Sequence, residues 1–460
     1  MVFSSIFFIF CFLPVFLVFY LLIPGRGKDI VLFIGSLIFY AWGEPVYVIL
    51  LLFSAFFNYY MGIDIDNSEG KARRGNLIFA VIVNVFILCF FKYYGFLLDT
   101  IGGIFGTEFS HPELALPIGI SFYTFKNLSY IIDVYNEKIY AQKNLLTYCV
   151  YSTMFPHMAA GPIVRYADIE GQLQHRKVKK TKFGVGAEYF IKGLAKKVII
   201  ADNLAILYSS VCAEKQLTVL TAWIGIFAYT MEIYFDFSGY SDMAIGMGRM
   251  LGFDFKKNFD YPYISDNVSE FWRRWHISLG SWFRDYIYIP LGGNRVGTLK
   301  QIRNIMVVWA LTGLWHGASW NFVLWGVYYG LLLLLEKFFL QRFLDNAPKF
   351  VNRIYTMFFV MIGWVFFSQT SFSGIASYLG AMFGPAAKGF ADSATFYYFR
   401  TGIVLFVISL IACRPGLQRW FKRLEKKHIA AAIAIDLILF ALAVAFMVYN
   451  SYSPFLYQKF

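Results

Sequence analysis

The chain contains 460 residues, of which 58% are hydrophobic and only 15% are charged, and its formal net charge is +13. Soluble domains carry roughly 25% charged residues, so this composition excludes an ordinary soluble enzyme and indicates a membrane protein. The Lys and Arg residues fall mainly in loops beside apolar segments, where anionic lipid attracts them. We therefore assign the positive charge to membrane lipids and exclude nucleic acid as a partner.

Apolar segments recur along the whole chain, and a helix needs about 20 predominantly apolar residues to span a bilayer. The segments that reach or approach this length are Val2–Leu22, Ile30–Trp42, Val46–Met61, Leu77–Leu98, Leu114–Val134, Leu217–Phe237, Ile305–Trp320, Phe322–Phe339, Ile354–Phe367, Thr401–Cys413 and Ile429–Val448. We predict an all-α polytopic membrane protein with about 10–12 membrane helices, plus re-entrant and interfacial helices. No long polar linker interrupts the sequence, so we predict a single membrane domain over residues 1–460.

The loops between these segments alternate in charge. The basic residues after the first, third and fifth segments are Arg26, Lys28, Lys71, Arg73, Arg74, Lys138 and Lys143. The intervening stretches 43–45 and 99–113 contain no Lys or Arg. Because basic loops stay in the cytoplasm, we predict a multi-pass protein of the cytoplasmic membrane with its N-terminus outside. The same rule places the basic block Arg414–Lys427 in the cytoplasm and residues 450–460 outside.

The middle of the chain mixes apolar runs with Pro, Gly and charge. Met154–Ile163 contains two prolines and a glycine, and irregular backbone at membrane depth is tolerated only where it is buried in protein or lines a water-filled cavity. This region is therefore expected to build a cavity. Phe183–Ile200 carries Lys192, Lys196 and Lys197 among apolar residues, a pattern typical of an interfacial helix.

Two of the six histidines follow a tryptophan within this membrane region. His316 lies in Trp315-His316-Gly317, and His276 lies in Glu270–Leu279. A titratable ring at membrane depth is costly and is by default a functional candidate. Its pKa of roughly 6.5 suits a general base. The alternative for both residues is a structural histidine whose hydrogen bonds are satisfied by neighbouring hydroxyl or carbonyl groups.

On a continuous helix, Trp272, Trp275 and Leu279 would share one face. Arg273 and Arg274 lie between the two tryptophans. A mixture of Trp and Arg is also a normal interfacial anchor, which would explain the aromatic residues but not His276.

The stretch Tyr234–Asp242 ends an apolar segment with two carboxylates, and helix capping is its simplest explanation. No phosphate-binding loop or nucleophile-elbow motif occurs, and the cysteines lack zinc-site spacing, so we expect no metal.

Several motifs together resemble the membrane-bound O-acyltransferase (MBOAT) family, and within it the bacterial alginate O-acetyltransferase branch. The segments that carry the resemblance are Leu116–Phe125, Ala160–Ile163, Tyr234–Ala244, Glu270–Leu279, Tyr286–Arg295 and Leu314–Asn321. The resemblance implies a multi-helix fold with a central funnel or tunnel. It also implies that His316 is the essential catalytic histidine and that His276 occupies the second motif position, which is Asn or His in the family.

The implied reaction is acyl transfer from a cytoplasmic thioester, acetyl-CoA being the expected donor substrate, with no permanently bound cofactor. Trp275 and Trp315 would shape the tunnel and exclude water, while Ser278 and Asn321, with His276, would orient the carbonyl group or His316. The expected partners are a polysaccharide acceptor and an extracytoplasmic SGNH-type acyltransferase or esterase, or a small membrane partner. D-alanyl transfer to teichoic acid, a transporter and a non-enzymatic subunit of an export complex remain alternatives.

Overall fold

The structure is a computed structural model that describes residues 1–107, 109, 110, 112, 114–158 and 161–449. The described chain is helical and contains no β-strand, so the predicted all-α class is confirmed. It groups into two compact units. Of the described residues, the first unit contains 1–190 and 241–256 without the gaps given above, and the second contains 191–240 and 257–449. The prediction of a single domain over the whole chain stays a prediction.

The first unit contains the N-terminal helices. They are α1 (Leu13–Leu22), α2 (Gly27–Ala41), α3 (Val48–Asn67), α4 (Gly70–Phe105), α5 (Ile120–Tyr135), α6 (Leu145–Thr153) and α7 (Tyr166–Gln174). Helix α8 (Lys180–Ala195) begins in this unit and ends in the second. A π-helical turn at Phe8–Phe12 precedes α1, and a 3-10 turn at Phe155–His157 follows α6.

The second unit contains the remaining helices. They are α9 (Asp202–Cys212), α10 (Val219–Met250, which ends in the first unit), α11 (Val268–Arg274), α12 (Ile277–Phe283), α13 (Thr298–His316), α14 (Trp320–Leu335), α15 (Gln341–Asn346), α16 (Lys349–Ser368), α17 (Phe372–Phe383), α18 (Ser393–Ala412), α19 (Pro415–Lys427) and α20 (Ile429–Tyr449). A 3-10 turn at Pro262–Ile264 precedes α11. Short π-helical segments at Lys196–Ala201, Arg284–Tyr288 and Glu336–Leu340 join consecutive helices or extend them.

Six helical segments of the described chain are long and apolar enough to cross a membrane. They are Val48–Asn67, Gly70–Phe105, Trp320–Asn346, Lys349–Ser368, Ser393–Ala412 and Ile429–Tyr449. The other predicted segments also fold as helices, but these are shorter, as in α2 and α5, or carry more charge, as in α10. The protein is therefore a multi-pass membrane protein.

Polar side chains hold the helices of the first unit together. Asn58 on α3 and Asn84 on α4 exchange two amide hydrogen bonds, of 3.0 and 2.8 Å. Lys126 on α5 is fully buried, and its Nζ lies 2.8 Å from the Ser152 carbonyl oxygen and 3.1 Å from His157 Nδ1. Burying a polar group without a hydrogen bond costs free energy in an apolar environment. Each of these side chains therefore hydrogen-bonds to a group on a neighbouring helix or turn.

Glycines let α13 and α14 approach closely in the second unit. A Cβ atom on Gly326 would lie 2.4 Å from the Trp309 carbonyl oxygen, and one on Gly313 would lie 2.4 Å from the Phe322 carbonyl oxygen. Both obstacles are backbone atoms, which cannot rotate away. Small residues at helix crossings are the usual way for membrane helices to pack. This crossing sets the position of the C-terminal end of α13.

The prediction of an interfacial helix over Phe183–Ile200 is wrong for Lys197. Its ammonium group is buried and lies 2.7 Å from the carboxylates of both Asp202 and Asp236. An ammonium group between two carboxylates does not need lipid headgroups for charge compensation. Asp236 therefore serves as an internal counterion instead of a helix cap.

The segment Met154–Ile163 follows α6 and includes the 3-10 turn; within it, Ala159 and Ala160 lie outside the described residues.

Candidate active site

His316 is the last residue of α13, at the end of the close α13–α14 crossing. It is 3% exposed, and its ring lies edge to face against Trp325 at 4.8 Å and Phe367 at 5.2 Å between centroids. The helix ends there because Gly317 adopts an extended conformation, and a Cβ on that glycine would lie 2.3 Å from the Phe322 ring. The local sequence thus turns the chain immediately after the histidine and fixes its ring among aromatic neighbours.

His276 occupies a break between two short helices. Helix α11 ends at Arg274, Trp275 is extended, and His276 adopts a left-handed backbone conformation with φ of 44° before α12 begins. The prediction of one continuous helix through Trp272 and Leu279 is therefore wrong. A left-handed conformation is uncommon for a residue other than glycine and persists only where its surroundings enforce it.

Asn258 enforces this conformation. Its backbone oxygen accepts a hydrogen bond from the Ile277 N–H at 2.8 Å, and its side-chain Oδ1 accepts from the Ser278 N–H at 3.1 Å and the Ser278 hydroxyl at 2.8 Å. The same Oδ1 lies 3.2 Å from His276 Nδ1. Asn258 is fully buried. The sequence gives no signal for this role, because Asn258 lies 18 residues before His276 in an irregular segment.

These contacts define the tautomer of His276. Because Asn258 Oδ1 accepts a hydrogen bond from the Ser278 backbone N–H, this atom is the amide oxygen and cannot donate. His276 Nδ1 therefore carries the proton and donates a hydrogen bond to Asn258 Oδ1. Nε2 then presents a lone pair, and it is buried without a hydrogen-bond partner in the described chain. Burial lowers the pKa of this imidazole, which lies outside the six spans, to about 3. His276 is therefore a neutral hydrogen-bond acceptor at physiological pH.

The indole of Trp315 links the two histidines. Its ring centroid lies 4.9 Å from that of His316 and 5.8 Å from that of His276. The structure thus brings His276, His316 and Trp315 together, and Ser278 joins them through Asn258. Trp325 was absent from the predicted set, although its ring contacts His316 and its indole N–H is buried without a hydrogen-bond partner in the described chain.

The other two predicted residues lie at the edges of this group. Trp275 is 1% exposed and packs within an aromatic cluster, with its ring 4.9 Å from Trp364 and 5.1 Å from Phe259. Asn321, in the first turn of α14, donates from Nδ2 to the Phe366 carbonyl oxygen at 3.2 Å. Its Oδ1 is buried without a hydrogen-bond partner in the described residues.

A cavity of about 320 Å³ reaches His276 and is lined by residues that include Trp272, Trp275, Ser281 and Thr312. His316 itself is not among the lining residues, but Thr312 lies one helical turn before it on α13. The prediction of a cavity that reaches His316 from both membrane faces stays a prediction.

A second, open cavity of about 430 Å³ adjoins the first. The two cavities share Ser269, Arg273, Arg284, Tyr288 and Trp309 among their lining residues. The combined lining of the two cavities extends from the exposed Asp345 to His276, and we call it the path.

Basic residues surround the outer part of this path. Arg284 pairs with Asp285 at 2.7 Å, and Lys337 Nζ lies 3.1 Å from Asn294 Oδ1. Arg273 is exposed, donates from Nε to the Ser269 carbonyl oxygen at 3.3 Å, and forms no ion pair within the described residues. We call Arg273, Arg284 and Lys337 the basic mouth. Glu336 and Asp345 line the same cavity, so the charge available to an anionic ligand comes mainly from Arg273, which has no ion pair in the described chain.

Replacing His276 by alanine is expected to reduce turnover about tenfold, because a neutral hydrogen bond contributes up to roughly 1.5 kcal/mol. His276→Asn is expected to retain more activity than His276→Ala, since asparagine tolerates the left-handed conformation better. Steady-state consumption of the expected donor, acetyl-CoA, by the two folded variants tests this. An alanine variant that is fully inactive, beside a fully active His316→Ala variant, would reverse the two roles.

The chain is similar to a known protein family and to several named proteins. Residues 136–379 match the model of "MBOAT, membrane-bound O-acyltransferase family". A "Probable alginate O-acetylase AlgI" of Azotobacter vinelandii is 37% identical over the full length of both chains. A peptidoglycan O-acetyltransferase of Helicobacter pylori is 33% identical over 84% of this chain and 80% of its own. A teichoic acid D-alanyltransferase of Bacillus subtilis is 30% identical over 50% of this chain and 63% of its own.

Proposed function

The chain belongs to the membrane-bound O-acyltransferase family and is a membrane O-acyltransferase. We propose that it transfers an acetyl group from a cytoplasmic thioester for the O-acylation of a cell-surface polysaccharide. The observation that carries this proposal is the path from the basic mouth to His276, with Trp315 linking His276 to His316.

The proposed chemistry uses His316 as general base. A neutral imidazole takes the proton of an acceptor hydroxyl while the oxygen attacks the thioester carbonyl carbon. The new C–O bond forms, the C–S bond breaks, and the thiolate leaves and recovers the proton. A positioned general base contributes roughly 10²–10⁴-fold. Holding both reactants in one site contributes a further orientation term of up to about 7–11 kcal/mol.

The surrounding groups have separate roles in this proposal. His276 Nε2, as an acceptor, orients a donor group of the substrate such as an amide N–H or a hydroxyl. The Trp325 indole N–H and the Asn321 side chain are assigned to the acyl oxygen and the acceptor. Both residues lie on α14 and are buried, and the indole N–H and the Asn321 Oδ1 have no hydrogen-bond partner in the described chain. Trp275 and Trp315 exclude water from the thioester, which limits hydrolysis.

The proposed donor is acetyl-CoA, whose phosphates match the charge of the basic mouth. Arg273→Gln is expected to raise KM for acetyl-CoA up to about fivefold, as an exposed charge pair contributes at most roughly 1 kcal/mol. Its effect on kcat is expected to be small, because the contact is equal in the ground and transition states. Lys349→Gln removes an exposed charge from the start of α16 and is the matched control. Equal KM values for the two variants would remove Arg273 from the donor site.

The proposed acceptor is a polysaccharide, because the relatives that cover most or all of this chain are named for acetylation of alginate and peptidoglycan. The D-alanyltransferase relative covers only 50% of this chain, so D-alanyl transfer is the less supported alternative. We assign the final placement on the polymer to an extracytoplasmic SGNH-type partner or a small membrane partner, as the resemblance to the alginate O-acetyltransferase branch implies.

The proposed orientation places the N-terminus outside the cytoplasmic membrane, from the alternation of basic loops. The C-terminal residues 450–460, also predicted outside, lie beyond the described residues. The alternation also places the loop 43–45 outside, on the same side as the N-terminus. A cysteine introduced at the exposed Pro45, in a chain whose five native cysteines are replaced, is expected to react with an impermeant maleimide in intact cells. Reaction only after membrane disruption would place the N-terminus inside.

The reaction itself is tested with the purified full chain and acetyl-labelled acetyl-CoA. The proposal expects thioester consumption above that of an equally purified His316→Ala sample, and faster consumption of acetyl-CoA than of longer acyl-CoA thioesters. A transporter or scaffold would consume none. Equal consumption by both samples would contradict the proposed role of the site.

A further inference from the structure

Helix α19 is short, strongly basic and held between two membrane spans. Two residues separate it from α18, and His428 alone separates it from α20. Both α18 and α20 are among the helices long and apolar enough to cross a membrane. Because the chain leaves one span and enters the next over this distance, α19 must lie at the surface of the bilayer.

The residues of α19 divide between two faces. At 100° per residue, Leu417, Trp420, Phe421 and Leu424 fall on one side. The opposite side carries Arg419, Lys422, Arg423 and Lys426, and Lys427 lies at the edge of the apolar side beside Trp420; all five are exposed. An amphipathic helix with a Lys/Arg-rich polar face and an apolar face that includes Trp and Leu is the pattern of a helix that lies in the membrane interface.

Contacts with other residues of the second unit fix the orientation of α19. Phe421 is buried, with Lys192 Nζ 3.0 Å from its ring centroid. Tyr261 donates from its hydroxyl to Gln418 Oε1 at 2.8 Å. Leu417 and Trp420 nevertheless stay 45% and 53% exposed. The helix is therefore docked along one edge, which leaves these two apolar side chains about half exposed and the basic face without an ion pair in the described chain.

From this arrangement we infer that α19 is a binding site for anionic phospholipid headgroups. Trp420 and Leu417 enter the boundary between headgroups and acyl chains, where Trp is favoured. The basic face then lies at the level of the phosphates. Lys and Arg near an anionic surface each contribute about 1 kcal/mol, and Glu425 is the single acidic residue of the helix. This inference concerns the lipid around the protein and does not depend on the proposed reaction.

Quenching of Trp420 fluorescence by brominated lipid tests the inference. The full chain is reconstituted into phosphatidylcholine nanodiscs in which the same small fraction of lipid is brominated phosphatidylglycerol or brominated phosphatidylcholine. The difference between the wild type and Trp420→Phe isolates the signal of this residue from the other tryptophans. We expect the local concentration of brominated phosphatidylglycerol at Trp420, calculated from the quenching, to be roughly five times that of brominated phosphatidylcholine. Added salt is expected to reduce this preference.

Two triple variants separate a local site from a general effect of charge. The combination Lys422→Gln, Arg423→Gln and Lys426→Gln is expected to abolish the preference for phosphatidylglycerol while Trp420 is still quenched. The combination Lys71→Gln, Arg74→Gln and Lys177→Gln removes three exposed charges from the other compact unit and is expected to leave the preference intact. Equal quenching by both lipids in the wild type, a preference that survives in the α19 variant, or no quenching of Trp420 by either lipid would each overturn the inference.

Discussion

Replacing His316 by alanine is expected to lower acyl transfer at least about a hundredfold, which is the lower range of a general base's contribution. The imidazole ring of His316 is buried against the rings of Trp325, Phe367 and Trp315. Turnover of acetyl-CoA by purified protein in the presence of an acceptor is the measurement.

His428→Ala is the matched control for His316→Ala, because His428 is an exposed histidine between α19 and α20. Loss of a buried ring also leaves a cavity, so thermal unfolding and monodispersity in detergent must be compared for both variants. A folded His316→Ala protein that keeps more than about a tenth of the wild-type rate would be too active for a missing general base.

Gly326→Ala is expected to destabilise the protein by about 1–3 kcal/mol, the usual effect of overpacking, and to reduce activity with it. The added methyl group would meet the Trp309 carbonyl oxygen at 2.4 Å and the Gly313 Cα at 3.3 Å. The helices α13 and α14 must then separate, and His316 moves with the end of α13. The unfolding temperature in detergent and the rate of acyl transfer are measured on the same sample.

Gly75→Ala is the control for this substitution. Gly75 lies in α4, is exposed, and a Cβ on it would have no atom within 4 Å. The same chemical change there removes a helix-destabilising glycine, so stability is expected to rise by up to roughly 1 kcal/mol. If Gly326→Ala unfolds at the same temperature as Gly75→Ala, the close crossing does not control the site.

The membrane spans and the Trp-His motif could be predicted because each depends on local sequence. Runs of apolar residues identify α3, α14 and α20 without reference to the rest of the chain, and His316 stands out as a titratable residue inside such a run. Its aromatic surroundings were only partly predictable. Trp315 adjoins it in sequence, whereas Phe367 contacts it from α16.

The interruption at His276 could not be predicted, because local propensity favours one helix through Trp272 and Leu279. The conformation is imposed by Asn258, a residue distant in sequence whose side chain and backbone together replace helical hydrogen bonds. Lys197 illustrates the same limit. Its helical spacing beside apolar residues is that of an interfacial lysine, but Asp236 from α10 supplies a counterion inside the protein.

The most direct test of the account is the content of alkali-labile acetate on the surface polysaccharide of the native organism. The chromosomal copy is replaced by the wild type, His316→Ala or His428→Ala, each verified at equal abundance in the membrane, and the cells are grown with labelled acetate. Mild alkali releases O-linked acetyl esters from the isolated polymer. We predict that the esters are lost in the His316→Ala strain and kept at the wild-type level in the His428→Ala strain. Unchanged ester content in the His316→Ala strain would contradict the assignment of this chain as a His316-dependent polysaccharide O-acetyltransferase.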